Sequence, residues 1–178
     1  MPLEISMESA SVFAVAVQFT KFVMFSILTF DTDFELLFPD SYVNNITERL
    51  NLYNKLGDLK DELQLQKFEA ELVDRFGEIP KQVENLLNSV RIKWIAISMG
   101  LERVIMKKGK LVGYFVSDQQ STFYQSSAFT KVLHYVQSNS ESVKMKEKQT
   151  RNGLRLIITF DKITSIDKAL SSLKRFLV

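Results

Sequence analysis

The 178-residue chain is predicted to adopt an α+β fold, in which N-terminal helices pack on a small mixed or antiparallel sheet that carries two further helices. Two observations predict this class. Apolar residues recur at helical spacing through residues 40–100, whereas residues 101–178 contain two strand pairs, each followed by a helical segment. Hydrophobic residues make up 46% of the chain and charged residues 25%, a composition sufficient for a sizeable core.

Residues 1–30 form an apolar leader, and three interpretations of it stay open. The run 11–30 approaches the length of a membrane-spanning helix. Gln18 and Lys21 near its centre, with many Val, Phe and Thr residues around them, favour a strand or a poorly determined leader. An artefact of a gene boundary and a membrane segment are the alternatives. A basic n-region and a small-residue cleavage site, which mark a secretory signal, are missing.

A first helix is predicted after Pro39, with Asp40 or Ser41 as its cap, and it ends near Gly57. Its apolar stripe comprises Val43, Ile46, Leu50 and Tyr53. A second helix is predicted from about residue 58 to residue 76, with a buried stripe of Leu65, Phe68, Leu72 and Phe76.

A third helix begins at Pro80 and ends at Gly100. It is predicted to be apolar on two sides and therefore central. The first side comprises Val83, Leu86, Leu87, Val90, Trp94 and Ile97, and the second comprises Ile92, Ile95 and Met99.

Beyond residue 100 the pattern changes to strands. Lys108-Gly109 and Asn152-Gly153 are the turn signals of two hairpins, and the stretch "DQQSTFYQ" between them is predicted to be a polar loop. A helix follows Ser126 or Ser127, and its predicted buried face comprises Phe129, Val132, Leu133 and Val136. A last helix, 164–177, starts at Thr164 or Ser165 and presents Ile166, Leu170, Leu173 and Leu177.

The residues that catalysis commonly requires are sparse. There is no cysteine, which excludes disulfides, zinc–thiolate sites and a cysteine nucleophile, and which fits a reducing, cytoplasmic compartment. His134 is the only histidine, and the six glycines are scattered as helix ends and turns rather than clustered in a phosphate-binding loop. We therefore predict a non-enzymatic chain with no cofactor and no metal.

Basic residues cluster in the two hairpins: Lys107, Lys108, Lys110, Lys144, Lys146, Lys148, Arg151 and Arg155. The favoured interpretation is that they are edge-strand lysines, which discourage aggregation. The alternative is a nucleic-acid-binding module that uses both hairpins, with Lys107, Lys108, Lys110, Lys146 and Lys148 as the contacts. That alternative requires the hairpins to be neighbours, forming a positive edge near Tyr114.

Glu71 and Asp74, in "AELVDRFGEIP", lie near the end of the second helix, where the helix dipole prefers cations. At a spacing of three residues they share the face opposite the apolar stripe. From the residues alone, the favoured interpretation is a solvated helix face whose charge is offset by Arg75.

Three stretches resemble the C-terminal domain of bacterial transcription-repair coupling factors: "FPDSYVNNITERLNLYNKL", "AELVDRFGEIPKQVENLL" and "VRIKWIAISMGLERVIMKKGKLVGYFV". The similarity covers residues 31–178, which it implies are a regulatory domain with a helical part, 40–100, and an α/β part, 101–178. Residues 1–30 depart from the family, in which the end of the motor would lie there. Phe38 stands where the family favours Ile or Val.

The resemblance implies a function. The full family member is an ATP-dependent DNA translocase that displaces stalled RNA polymerase and recruits UvrA for nucleotide excision repair. This chain corresponds to the module beyond the motor, which folds back on a UvrB-like module of the same protein and covers its UvrA-binding surface. UvrA and RNA polymerase are thus indirect partners, and no membrane partner is implied. The resemblance also implies that Glu71 and Asp74 face basic residues of the UvrB-like module, and with it this interface becomes the favoured interpretation.

Overall fold

The computed structural model describes residues 28–151 and 153–177, which divide into two compact units. The helical unit comprises residues 35–86, and the sheet unit comprises residues 28–34 and 87–177. Residues 1–27, which hold nearly all of the predicted apolar leader, lie outside the described residues. In the described ranges, no helix has both the length and the apolar character needed to cross a membrane.

The helical unit contains α1 (Ile46–Asp58), α2 (Glu62–Phe76) and the start of α3 (Lys81–Ser98). The predicted caps of α1, Asp40 and Ser41, are wrong. Asn45 is the cap, because its side chain accepts a hydrogen bond from the Glu48 N–H at 2.9 Å. Asp40 and Ser41 lie instead in a turn, in which the N–H of Tyr42 donates to the Pro39 carbonyl at 2.9 Å.

The buried side of α1 also differs from the predicted stripe. Its buried residues are Arg49, Leu52, Tyr53 and Leu56, whereas Ile46 is 47% exposed. A buried arginine takes the place that the periodicity assigned to an aliphatic residue. The helix continues through Gly57 to Asp58. The next helix, α2, begins at Glu62, and Asp61 caps it by accepting a hydrogen bond from Gln64 N–H.

The apolar sides of α2 and α3 largely follow the prediction. Leu65, Phe68 and Leu72 are buried in α2, while Phe76 at its end is half-buried. Two sides of α3 are buried, as predicted, and its buried apolar residues are Val83, Leu86, Leu87, Val90, Ile92, Ile95 and Ala96. Trp94 is only half-buried and Ile97 is 40% exposed, so these two predicted core positions are wrong.

The sheet unit is built on a five-stranded mixed sheet, which confirms the α+β class. Its strands are β1 (Thr29–Thr32), β2 (Leu101–Lys107), β3 (Lys110–Phe115), β4 (Val143–Thr150) and β5 (Gly153–Asp161). They lie in the order β1-β2-β3-β5-β4. β1 is parallel to β2, and every other pair is antiparallel.

Both predicted hairpins are present. The first turns at Lys108 and Gly109, which have positive φ angles of 52° and 71° and so give the twist that two-residue hairpins favour. In the second, β4 and β5 pair from Val143 with Phe160 to Thr150 with Gly153.

The segment "DQQSTFYQ" is not simply a polar loop. It contains a 3-10 helix, Thr122–Gln125, whose Phe123 and Tyr124 rings lie 5.5 Å and 5.1 Å from the Phe129 ring. Phe115 of β3 completes this aromatic cluster, with its ring 6.2 Å from that of Phe123. Two aromatic residues within a polar stretch are enough to hold it beside Phe115 and Phe129, with both rings half-buried.

Two helices, α4 (Ser127–Ser138) and α5 (Ile166–Leu177), complete the sheet unit. Ser126 caps α4, as predicted, and Ser165 accepts a hydrogen bond from Lys168 N–H at the start of α5. The buried residues of α4 are Val132 and Tyr135, whereas the predicted core residue Leu133 is 40% exposed. Tyr135 takes its place because its ring packs on Phe160, 6.3 Å away, while its hydroxyl donates to the Ser172 carbonyl.

Candidate functional site

The turn before α1 is held against the end of α2. The Tyr42 hydroxyl lies 3.2 Å from the carbonyl oxygens of both Leu72 and Gly77, and its ring lies 5.8 Å from that of Phe76. The last carbonyls of a helix have no partner within the helix, so a hydroxyl here satisfies groups that otherwise need water. The stretches "FPDSYV" and "ELVDRFG" are therefore parts of one structural element.

A buried arginine fixes the same turn from the α1 side. Arg49 is 5% exposed, donates to the Val43 carbonyl at 2.5 Å and pairs with Asp40 at 2.9 Å. The Tyr53 hydroxyl accepts a hydrogen bond from the Phe38 N–H at 2.9 Å. The polar residues of this stretch thus position the chain between the two helices.

Glu71 belongs to an ion-pair network between α1 and α2. Its carboxylate pairs with Lys55 of α1 and, at 3.5 Å, with Arg75 one turn further along α2. Arg75 also pairs with Glu48 at 2.7 Å. The hydrogen bond from Lys55 holds the pKa of Glu71 below its ordinary value of 4.5, and Arg75 lowers it further. Arg75 therefore offsets the carboxylate near the helix end.

Asp74 has different surroundings. It is exposed and, within the described part of the chain, forms no ion pair. Helical spacing places it in line with Leu63, Lys67 and Ala70, all exposed, on the side opposite the buried stripe. Leu63 is 62% exposed, and Val73 beside Asp74 is 50% exposed. We call Leu63, Lys67, Ala70, Val73 and Asp74 the outer α2 surface.

The structure therefore separates the two acidic candidates. Glu71 faces α1, and its charge is engaged within the helical unit, whereas Asp74 lies on the outer α2 surface and is free to meet a partner. The spacing of Glu71 and Arg75 signals their pairing in the sequence. Lys55 lies 16 residues away, and no local pattern reveals that contact.

The two basic hairpins are neighbours, because β3 pairs with β5. Several of their lysines have carboxylate partners. Lys107 pairs with Asp31 at 2.8 Å, and Lys110 and Lys144 lie 3.4 Å and 3.8 Å from Asp161. Lys108 is exposed at the first turn.

Two cations lie beside the Tyr114 ring. The charged groups of Arg103 and Lys148 lie 5.8 Å and 5.9 Å from the centre of its ring, within the range of cation–π attraction. Lys146 and Lys148 are exposed on β4 and have no carboxylate partner among the described residues. Arg103 is absent from the predicted contacts, although its alternation with Lys107 in β2 is a signal for a shared face.

No catalytic constellation is apparent among the described residues of the sheet unit. His134 is exposed on α4. A surface depression of about 240 Å³ is lined by Glu147, Tyr124, Gln119 and aliphatic residues. Burial raises the pKa of the Tyr124 hydroxyl, which donates to the Val116 carbonyl at 2.5 Å. Among residues 28–151 and 153–177, no cluster of three histidine or carboxylate side chains could hold a metal ion.

Comparisons with known proteins agree on one family. The family model described as "TRCF domain" matches residues 32–126. The chain is 29% identical over 136 residues to a protein named transcription-repair-coupling factor from Rickettsia prowazekii, which covers 76% of this chain and 11% of that protein. A protein of the same name from Staphylococcus epidermidis is 30% identical over 129 residues, covering 67% of this chain and 11% of that protein. The chain thus spans about a tenth of the length of these curated relatives.

The fold has a counterpart among solved structures. A crystal structure described as the C-terminal domain of transcription-repair coupling factor matches with a TM-score of 0.62 and 21% identity. The match covers 85% of this chain and 94% of that one. At this identity the match demonstrates a shared fold, which includes both the helical and the strand-rich segments of the chain.

Proposed function

The chain belongs to the TRCF domain family, and from this premise we propose that it is a non-catalytic regulatory module of a transcription-repair coupling factor. In this proposal the parent protein is an ATP-dependent DNA translocase that removes stalled RNA polymerase and recruits excision repair. The module folds back on the UvrB-like module of the same protein and covers the surface that binds UvrA. It therefore acts as an autoinhibitory clamp, released when the motor engages.

The observation that carries the proposal is the outer α2 surface. It presents an unengaged carboxylate, Asp74, beside the aliphatic side chains of Leu63 and Val73, which are 62% and 50% exposed. The aliphatic side chains give area to bury, and Asp74, seven residues from the cation Lys67 on the same side of the helix, gives a requirement for an opposite charge on the partner. This combination suits a basic partner surface, which the resemblance assigns to the UvrB-like module.

Glu71 has a supporting role in this proposal. Its ion pair with Lys55 joins α2 to α1, and its pair with Arg75 positions the guanidinium that bonds Glu48 of α1, so Glu71 stabilises the helix pair that carries the outer α2 surface. We therefore expect reversal of Asp74 to weaken the clamp more specifically than reversal of Glu71, which also disturbs the helical unit.

Charge reversal in the full-length translocase that carries this domain tests the proposal. Asp74→Lys is expected to raise basal ATPase activity and UvrA capture several-fold, because the clamp opens more often. Glu141→Lys is the matched control, since it makes the same charge change in an exposed loop of the sheet unit. ATPase activity and UvrA capture that are the same in Asp74→Lys and Glu141→Lys would contradict the proposal.

A further inference from the structure

One face of the five-stranded sheet is strongly basic. Side chains of cross-strand partners share a face, so the register assigns seven cations to it. They are Arg103, Lys107, Lys110, Lys144, Lys146, Lys148 and Arg155. Among the described strand residues, the same register gives this face two carboxylates, Asp31 and Asp161, and Glu102 at the irregularity in β2 contacts Arg155 of this face as a third. We call these residues, together with Tyr114, the basic sheet face.

The opposite face of the sheet is the apolar core of the unit. Its residues Val104, Met106, Leu111, Phe115, Ile158 and Phe160 are each at most 1% exposed. Contacts of Phe115 and Phe160 with the aromatic residues of α4 lie on this side. By contrast, the cations Arg103, Lys146 and Lys148 of the basic sheet face are exposed.

A single row of side chains crosses the middle of the basic sheet face. The register aligns Arg103 with Tyr114, Tyr114 with Ile157, and Ile157 with Lys146. The row thus spans four strands, or about 14 Å at the usual spacing between strands. It has a cation at each end and an aromatic ring between them.

The carboxylates lie away from this row. Asp31 pairs with Lys107, and Asp161 lies beside Lys110 and Lys144, so the negative charge is concentrated near the first hairpin turn. In the other direction Arg155 pairs with Glu102 at 3.2 Å. The least neutralised positive charge therefore surrounds Tyr114.

Protection of a sheet edge accounts for only part of this arrangement. β4 is an edge strand, and its three alternating lysines suit that role. Arg103 and Lys107 lie on β2, and Lys110 and Tyr114 lie on β3, both of which are paired on two sides. Interior strands have no free edge to protect, so edge protection does not explain their cations and the ring.

We propose that the basic sheet face binds single-stranded nucleic acid across the row from Arg103 to Lys146. A nucleobase stacks on the Tyr114 ring or the Arg103 guanidinium, while Lys146 and Lys148 contact phosphates. A partly exposed aromatic ring among cations on a sheet matches the requirements of single strands, whose bases are free to stack. This activity goes beyond the proposed clamp, and it uses residues of the sheet unit rather than the outer α2 surface.

The test is fluorescence anisotropy, with the 178-residue chain added to a labelled single strand. The strand has about 15 nucleotides, which is within the site sizes of single-strand-binding modules. It is prepared once as DNA and once as RNA of the same sequence. A duplex of the same sequence and vesicles rich in anionic lipid are the competitors. Binding is expected to weaken with salt, with a slope of log affinity against log salt of about −1.4 for the two phosphate contacts of Lys146 and Lys148. Binding of a single strand that is tighter than binding of the duplex and of the vesicles supports the proposal. The single strand that binds more tightly, DNA or RNA, identifies the natural ligand.

Substitutions locate the site. Tyr114→Ala is expected to weaken binding about tenfold through lost stacking. Lys146→Gln is expected to make the salt slope less negative by about 0.7. Lys168→Gln, on α5 and outside the basic sheet face, is the control for net charge and is expected to leave affinity unchanged. Circular dichroism of each variant confirms that the sheet is retained.

Three outcomes would overturn the proposal. The first is equal loss of affinity in Lys146→Gln and Lys168→Gln, which indicates charge alone. The second is an unchanged affinity in Tyr114→Ala together with preference for the duplex. The third is preference for anionic vesicles over both single strands. Because none of these residues lies on α2, the outcome is independent of the clamp experiment.

Discussion

The Tyr42 hydroxyl lies 3.2 Å from the Gly77 carbonyl oxygen, although the two residues are 35 positions apart in the chain. This contact, with the one to the Leu72 carbonyl, ties the turn before α1 to the end of α2. The outer α2 surface thus belongs to a helix whose end is fixed by another segment. A rigid surface loses little entropy when it meets a partner.

Removal of the Tyr42 hydroxyl should therefore loosen the end of α2. Tyr42→Phe keeps the ring next to Phe76 and is expected to lower the free energy of unfolding by about 1 kcal/mol. Urea unfolding measures the change. Tyr114→Phe removes a hydroxyl from the basic sheet face and is expected to leave stability unchanged. Equal effects of the two substitutions would show that the Tyr42 hydroxyl contributes nothing specific.

The buried guanidinium of Arg49 is expected to matter more than its carboxylate partner. Arg49→Ala leaves the Val43 carbonyl without its donor in a buried segment, at a cost of about 2 kcal/mol or more. Asp40→Asn should cost about 1 kcal/mol or less, because the Asp40 side chain is 75% exposed and water solvates it. Urea unfolding of both variants measures this difference, and a larger loss for Asp40→Asn would contradict the assignment.

Stability should depend on the ionisation of Glu71. Its pKa is lowered in the folded state, so its ion pairs stabilise the fold above pH 4.5, the ordinary value, and this contribution is lost as pH falls through the lower folded pKa. Glu71→Gln is therefore expected to lower stability at pH 7, by less than about 1 kcal/mol, and to have little effect at about pH 3.

The measurement for Glu71 is the urea midpoint across the range from acidic to neutral pH. In the Lys55→Met background the effect of Glu71→Gln should shrink, because the largest cause of the lowered pKa is gone. An effect that is the same at every pH, or that grows as the solution becomes more acidic, would show that the network does not act through the charge of Glu71.

Substitution of Gly100 is expected to destabilise the fold more than substitution of Gly109 in the hairpin turn, because an aromatic cluster lies beside Gly100. Gly100 and Gly109 have similar φ angles, 76° and 71°, but a Cβ at residue 100 would lie 2.2 Å from the Phe123 ring, whereas a Cβ at residue 109 meets nothing within 4 Å. Gly109→Ala is expected to cost about 1–2 kcal/mol through backbone strain alone. Gly100→Ala should cost at least about 1 kcal/mol more in thermal or urea unfolding. Equal costs would mean that Phe123 moves freely.

The sequence predicts most of this fold because its elements are encoded locally. The hairpin at Lys108-Gly109 and the apolar stripe of α2 each depend on residues a few positions apart, and both are present. The errors arise where contacts outside the helical or strand periodicity decide. Arg49 is buried because the Val43 carbonyl and Asp40 satisfy it, and Phe123 is drawn to the sheet by Phe115 and Phe129.

In the candidate sites, too, local features are predicted from the sequence and tertiary contacts are not. The shared helix of Glu71 and Asp74 is readable from their spacing, but their different surroundings depend on Lys55, which lies on another helix. The basic hairpin residues are visible in the sequence, yet their assembly around Tyr114 follows from the pairing of β3 with β5. Strands paired across such a long stretch of chain leave no local signal.

The dissociation constant between the 178-residue chain and the UvrB-like module of a transcription-repair coupling factor from the same cell tests the central claim most directly. Isothermal titration calorimetry is expected to detect binding that weakens with salt, and Asp74→Lys should weaken it about fivefold or more. The Glu141→Lys control should bind like the unchanged chain. An absence of binding at low salt, or equal affinity of the Asp74→Lys variant and the unchanged chain, would contradict the account.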